Sequence, residues 1–257
     1  MTVIQAILLG LLQGLAEFLP VSSSGHLIIF RSFFGMEEVM LSFDVFLHLG
    51  TLAAVIVVFF KDIAAILRRP FSKEMLLLII ATLPAVLAGL FLESYIVRVF
   101  SSVIPVAVGL VFTGLLLWFS DSFHGRREIK DLNRFQAGVV GVFQAVAILP
   151  GVSRSGATIF AALACGMNRK AAARFSFLLS VIIILGAAAK QSLDIVKETG
   201  GLVLQPYYLA GMAAAAFAGI CAILFFLRLL EKKSLRFFSY YCWAFAALTI
   251  VWTLAVK

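Results

Sequence analysis

The chain is oily almost throughout, and two Ser/Gly-rich stretches break it in the same way. QGLAEFLPVSSSGH runs from Gln13 to His26, and QAVAILPGVSRSGAT from Gln144 to Thr158. At a constant offset of 131 residues, Gln13 matches Gln144, Ala16 matches Ala147, Ser22 matches Ser153, Ser24 matches Ser155 and Gly25 matches Gly156. The two stretches therefore read as copies of one segment. A Pro/Gly-broken backbone inside apolar sequence is a severe constraint. At membrane depth it is tolerated only where protein buries it or where it lines a wet cavity. Each stretch is thus expected to be the broken centre of a re-entrant helical hairpin, over about 2–27 and 136–166, whose short arms enter and leave on one side.

The rest of the chain fits that setting. Of its 257 residues 63% are hydrophobic, with a mean hydropathy of +1.08, against about 45–50% apolar in a soluble domain. Six segments are expected to span the membrane, roughly 43–60, 76–93, 103–119, 175–190, 207–227 and 237–256, since a spanning helix needs about 20 mostly apolar residues. The first residues lack a basic region, and Glu17 and Pro20 interrupt the apolar stretch, so no cleavable signal is read there. Cys165, Cys221 and Cys242 form no CxxC or Cys/His spacing and read as small packing residues.

A net charge of +8 would suggest nucleic acid in a soluble protein. Here the positive-inside rule accounts for it, and no nucleic-acid partner is expected. The bases cluster at Lys61, Arg68, Arg69 and Lys73; at Arg126, Arg127, Lys130 and Arg134; at Arg169, Lys170 and Arg174; and at Arg228, Lys232, Lys233 and Arg236. Placing all four clusters in the cytoplasm makes hairpin 2–27 start and finish outside and hairpin 136–166 start and finish inside. The outer loops then hold the stray acids Glu37, Glu38, Glu93, Asp194 and Glu198. The expected fold is an all-α polytopic membrane protein, a single domain over 1–257 with six transmembrane helices and two re-entrant hairpins, about ten helical segments. Its halves, about 1–122 and 133–257, have the plan of an inverted-topology repeat. Weaker echoes at offset 132 pair Phe43 with Phe175, Leu47 with Leu179, Asp62 with Asp194 and Ile63 with Ile195.

The chemistry of the two copies is uneven. Only the first carries Glu17 and His26, and only the second carries Arg154. A carboxylate in an apolar arm is costly and marks a functional candidate, the alternative being a hydrogen-bonded structural acid. Gln13 lies one helical turn earlier on the same face. It can bind a ligand oxygen or an ion, or simply pack between helices. Ser22, Ser23, Ser24 and Gly25 offer hydroxyls and bare N–H groups, and His26 can relay a proton. Arg154 needs an anionic partner, either Glu17 or a phosphate held in a bidentate fork. Ser153, Ser155, Gly156 and Thr158 add donors, so the second stretch reads as a phosphate cradle, although no GK[ST] of a Walker loop follows. Asp44 and His48 read as core packing more readily than as cavity lining, and His124 as a solvated loop residue. The 25 Phe are lipid-facing bulk that could also line a groove for a prenyl chain.

These residues resemble the bacterial undecaprenyl-diphosphatase family of the bacitracin-resistance type, over essentially the whole chain. Gln13, Glu17 and the run Pro20 to His26 match its first signature, Pro150 to Thr158 its second, and FSFLL from Phe175 to Leu179 a further string. The resemblance implies an integral membrane hydrolase of the bacterial inner membrane. It would convert a C55 isoprenyl diphosphate to the monophosphate and so recycle the carrier for peptidoglycan synthesis. It implies Glu17 as essential acid, acting as base or metal ligand, Ser23 as nucleophile, His26 as its proton partner and Arg154 as phosphate clamp. It also implies a divalent cation, Mg²⁺ or Ca²⁺, with Gln13 as a further candidate ligand. Three positions depart from the pattern: Gln13 where many members have Glu, Arg174 in place of an acid or Gln, and Ile182 in place of Pro. The expected mechanism is phosphoryl transfer in a midplane cavity open to the outer side, through a phosphoserine or by direct attack of water. The rival expectation is a transporter that flips the lipid phosphate, since inverted repeats with broken helices are common in carriers. The membrane lipid is an expected partner, and a homo-oligomer is left open.

Overall fold

The computed structural model describes residues 1–33, 41–92, 103–199, 205–232 and 234–255. Eleven α-helices occupy them: α1 (Val3–Phe18), α2 (Ser23–Phe33), α3 (Leu41–Val58), α4 (Phe60–Leu67), α5 (Lys73–Phe91), α6 (Val103–Ser120), α7 (Arg134–Val146), α8 (Arg154–Ala164), α9 (Arg169–Thr199), α10 (Pro206–Lys232) and α11 (Arg236–Ala255). A single 3₁₀ turn, Ile129–Asp131, and no named strand occur among the described residues. Glu37, Glu38 and Glu93, expected in outer loops, lie outside them.

Helices α5, α6, α9, α10 and α11 are long and apolar enough to cross a membrane. The sixth expected span, 43–60, is bent. Helix α3 ends at Val58 and turns by 84° into α4, so only the two together count as a sixth crossing. The apolar run stops at Lys61 and Asp62, and the chain turns where those charges would otherwise have to follow it. Helix α9 is longer than the expected 175–190, at 31 residues, because polar turns extend it at both ends. Ile182, standing where a proline was expected, keeps its N–H and leaves that helix unbroken.

The hairpin arms are short. Helices α2 and α8 have 11 residues each, or about 16 Å, roughly half the hydrocarbon thickness. Their partners begin with the same device. Thr2 and Gln5 form a capping box at the start of α1, and Asn133 and Gln136 form one at the start of α7, 131 residues later. Each hairpin leans on a helix from the other half of the chain: α1 mainly on α10, and α7 mainly on α5. Glycine makes that approach possible. A Cβ on Gly10 would lie 2.2 Å from the Gly211 carbonyl oxygen, and one on Gly141 would lie 2.7 Å from that of Ala81. Membrane helices gain their contact in this way, by backbone approach over small residues. Helices α3 and α9 pack together, as do α6 and α11.

The four basic clusters are joined to one another by contact. Arg174 reaches Asp62 at 2.7 Å and Glu74 at 3.4 Å. Lys73 Nζ donates to the Lys130 carbonyl at 2.6 Å, and the backbones of Arg127 and Met167 pair. Asp121 gathers Arg169 at 2.6 Å, the Ser234 hydroxyl and the Leu235 N–H at 3.2 Å. Arg174, unexpected in a position for an acid or Gln, is therefore the group that ties α9 to α4 and α5. Under the first hairpin, Phe18 and Phe177 meet edge to face at 5.7 Å, and Phe226 and Phe238 extend that core.

Candidate active site

Both hairpins bring their broken centres to one carboxylate. Glu17 sits in the last turn of α1 and is 8% exposed. Gln13, one turn earlier and fully buried, donates from Nε2 to Glu17 Oε2 at 3.0 Å. The Ser23 hydroxyl donates to the same oxygen at 2.6 Å. From the other hairpin, Arg154 Nη2 donates to Glu17 Oε1 at 2.5 Å. Ser23 is the first residue of α2 and Arg154 the first of α8. Two helix starts thus converge on one acid, which also lies within electrostatic reach of His48.

The tips are built alike. Ser22 Oγ accepts the Gly25 N–H at 3.3 Å, and Ser153 Oγ accepts the Gly156 N–H at 3.1 Å. These are N-cap contacts, and they satisfy donors that a helix start leaves open. Ser22 and Ser24 hydroxyls lie 3.4 Å apart, those of Ser153 and Ser155 3.1 Å. Gly25 and Gly156 are buried, and Ser24 is exposed. Ser22 takes a left-handed backbone with φ of +70°, and Gly151 one with φ of +90°. A glycine is required at 151, where an added Cβ would lie 2.1 Å from the Val106 carbonyl oxygen. Several hydroxyls expected in the phosphate cradle already have protein partners. Ser155 donates to the Leu19 carbonyl at 3.2 Å, which stitches the tips together. Thr158 donates to the Arg154 carbonyl at 2.8 Å and meets Ser176 Oγ at 2.7 Å.

His26 is 2% exposed, and the structure gives both its ring nitrogens partners other than Ser23. Nδ1 lies 2.7 Å from the Ser22 carbonyl oxygen, and Nε2 lies 2.7 Å from the Tyr241 hydroxyl. Side chains on a helix lean toward its N-terminus, so His26 reaches back to Ser22 one turn earlier. Of the two groups expected to take the Ser23 proton, Glu17 is the one in contact with Ser23, and His26 is not. His48, expected in the core, is half-buried and donates from Nδ1 to the Asp44 carbonyl at 2.8 Å, while the Asp44 carboxylate pairs with Arg31.

Two residues were not singled out by the sequence: Tyr241 at the first tip and Thr113 at the second. Thr113 Oγ1 accepts the Ser153 N–H at 2.9 Å and lies 3.0 Å from the Gly151 carbonyl. Both stand on apolar spans, where a hydroxyl is the only sequence signal.

The site has two unsatisfied atoms of opposite character. Arg154 Nη1 is a buried donor with no partner, and Gln13 Oε1 is a buried acceptor with none. The first suits an anionic oxygen. The second, beside Glu17, suits a hard cation. The donor set is lean: among the described residues no group of three His, Cys, Asp or Glu forms a metal cluster. One carboxylate and one amide oxygen are nevertheless enough for a cation that takes its other ligands from a substrate phosphate.

The structure is thus that of a polytopic α-helical membrane protein in which two broken hairpins enclose an acid, a serine and an arginine. The chain belongs to the family of the bacitracin resistance protein BacA, whose model matches residues 6–248. It is 42% identical over 257 residues to the undecaprenyl-diphosphatase of Carboxydothermus hydrogenoformans, covering 98% of each chain. It is 43% identical over 258 residues to that of Moorella thermoacetica, with 97% of each covered. It is 38% identical over 274 residues to that of Alkaliphilus metalliredigens, with 99% of this chain and 100% of the relative covered.

Proposed function

We propose that the protein hydrolyses undecaprenyl diphosphate to undecaprenyl phosphate and inorganic phosphate, returning the carrier to peptidoglycan synthesis. The observation that carries this reading is the meeting of Ser23 and Arg154, from opposite hairpins, on Glu17, with Arg154 Nη1 buried and unpartnered. The substrate's terminal phosphate takes that donor and competes with Glu17 for the guanidinium. Glu17, loosened from Arg154, accepts the Ser23 proton along the 2.6 Å contact already formed. Ser23 Oγ attacks the terminal phosphorus, the bond to the bridging oxygen breaks, and undecaprenyl phosphate leaves. Water then attacks the phosphoserine, restoring the Ser23 hydroxyl and releasing phosphate. Arg154, through its unpartnered Nη1 and its Nη2, balances the charge that spreads over the transferring group, the main source of catalysis in such reactions.

Glu17 and Gln13 Oε1 are the residues that would hold Mg²⁺ or Ca²⁺ together with diphosphate oxygens. Such a cation supplies charge neutralisation. The inverted repeat belongs to the same reading: the crossed leaning of α1 on α10 and α7 on α5 supports it, as do the capping boxes 131 residues apart. The joined basic clusters support a cytoplasmic end at α4, α9 and the α10–α11 connection, so that the first hairpin faces the outer side of the plasma membrane. A carrier that only flips lipid has little use for a serine aimed at a buried acid.

The test is phosphate release from an isoprenyl diphosphate by protein purified in detergent with divalent cation. Wild type is expected to release phosphate, and Glu17→Ala and Arg154→Ala are expected to lose most of that activity. A silent wild type, or variants that match it, would end this reading. Trapping phosphate on Ser23 separates the covalent route from direct attack by water.

A further inference from the structure

The first tip has a feature that the transfer step does not use. His26 is locked on three sides. Its ring lies 4.2 Å from Phe245 and only 11° from parallel, so one face is covered. The Tyr241 ring runs parallel to the imidazole, within 3° and with centroids 5.7 Å apart, and its hydroxyl lies 2.7 Å from Nε2. The third side is the 2.7 Å contact of Nδ1 with the Ser22 carbonyl.

The chemistry of these partners sets the protons. A carbonyl oxygen only accepts, so Nδ1 carries the hydrogen. In the neutral ring Nε2 is then the acceptor, and the Tyr241 hydroxyl donates to it. Tyr241 is 42% exposed, yet its one polar atom is turned inward onto the imidazole. The carbonyl that His26 grips belongs to the left-handed residue of the tip, Ser22 with φ of +70°. For a serine that conformation is strained and persists only where surroundings fix it. Its carbonyl begins the peptide unit that leads into Ser23, so the direction of that carbonyl and the aim of Ser23 are set together.

We propose that Tyr241 is a positioning residue: by donating to His26 Nε2 it fixes the tautomer with which His26 holds the Ser22 carbonyl, and so keeps Ser23 aimed at Glu17. The second tip carries an independent parallel. There Thr113 on α6 takes the Ser153 N–H and lies within hydrogen-bond distance of the Gly151 carbonyl. Positions 113 and 245 are 132 apart, the offset of the weaker echoes Phe43/Phe175 and Leu47/Leu179. Each tip is thus gripped from a helix of the other half, by Thr113 on one side and by the Phe245 and Tyr241 pair on the other.

The proposal rests on the phosphatase reading for its kinetic arm only. The full-length protein with ¹⁵N-labelled histidine is compared with Tyr241→Phe, which removes one oxygen and keeps the stacked ring. In wild type His26 is expected to show a protonated Nδ1 and a hydrogen-bonded, unprotonated Nε2, and in Tyr241→Phe the Nε2 signal is expected to move. With an isoprenyl diphosphate, kcat is expected to fall about three- to ten-fold, the loss of one hydrogen bond, with KM within about two-fold. In a His26→Ala background the same change is expected to have no further effect on kcat. A protonated Nε2 in wild type overturns the proposal, and so does a Tyr241→Phe enzyme with wild-type spectrum or wild-type kcat. So does an undiminished Tyr241→Phe effect in the His26→Ala background. A wild type with no phosphate release would sink the phosphatase reading instead, and the His26 spectrum would still decide whether Tyr241 sets the tautomer.

Discussion

The two hairpin tips share a frame and differ in what they hang on it. Both place a serine Oγ under the N–H three residues on, and both hold a second serine hydroxyl within 3.4 Å of the first. Between those serines stands Ser23 in one tip and Arg154 in the other, at the same offset of 131. Each is the first residue of its helix, and each reaches Glu17. Elsewhere the equivalence fails: Ile148 stands opposite Glu17, and Ala157 opposite His26. Among the pairs repeated unchanged, Gln13 and Gln144 are used differently. Gln13 donates to Glu17 at 3.0 Å, whereas Gln144 donates to the Ala81 carbonyl at 3.1 Å and binds α7 to α5. The difference teaches that a shared backbone frame can carry different chemistry: on the proposed function, the first tip supplies the reacting groups and the second the phosphate clamp.

Removing the shared carboxylate should break the comparison most severely. Glu17→Gln keeps the volume but cannot accept the Ser23 proton or neutralise Arg154. A fall in kcat of about 10³-fold is expected, within the range attributed to a positioned base. The variant also leaves a guanidinium that is 14% exposed without its charged partner, so thermal stability should drop, by about 3–5 kcal/mol if the pair behaves as fully buried. Phosphate-release kinetics and thermal melting in detergent measure the two effects. Next comes the residue on the opposite tip. Arg154→Lys retains charge and loses the fork, and an expected loss of about 10²-fold, larger in kcat than in KM, would mark a clamp that acts on the transition state. A Lys variant with wild-type rates would reduce Arg154 to a counter-ion.

The serines sharpen the comparison at finer grain. Ser23→Ala should cost about 10²–10³-fold if Ser23 is the nucleophile, while Ser155→Ala should cost at most a few-fold, since that hydroxyl donates to the Leu19 carbonyl. Equal losses from the two would erase the division between a reacting tip and a holding tip. Both are read as initial rates on the same lipid.

Much of this division was legible in the sequence. The copies, their offset and the unevenness of Glu17, His26 and Arg154 are direct properties of the chain, and apolar runs located four of the six spans to within about five residues at each end. A pairing of Arg154 with Glu17 across the two copies was one of the two expectations for the arginine. What the sequence did not carry was hydrogen-bond direction. His26 lies three residues beyond Ser23, which makes a nucleophile–base pair plausible, but the left-handed turn at Ser22 presents its carbonyl to the imidazole and leaves Ser23 to Glu17. No local pattern predicts a positive φ at a serine followed by two more polar residues. The bend after Val58 was missed because an apolar run reads the same whether it continues straight or turns. Tyr241 and Thr113 were invisible for a related reason: a hydroxyl on a long apolar span has no periodic signal that marks its partner, which lies far along the chain.

The smallest expected effect tests the amide that the two copies share. Gln13→Glu would place a second carboxylate beside Glu17, where the Nε2 donor now sits. Without cation the two acids repel, and a modest loss of thermal stability, about 1 kcal/mol, is expected. With cation the balance reverses, because a second charged oxygen adds to the attraction for Mg²⁺ or Ca²⁺. The expected result is a shift of several-fold toward lower cation concentration for half-maximal phosphate release, with a melting temperature that rises on adding cation more than in wild type. Gln144→Glu is the control, since its amide faces the Ala81 carbonyl and not the acid. If Gln13→Glu leaves the cation dependence where it was, Gln13 has no part in holding the metal. Its buried Oε1 would then join Gln144 Oε1 as a packing detail common to both hairpins, and the chemical contrast between the tips would rest on Ser23, Arg154, Glu17 and His26.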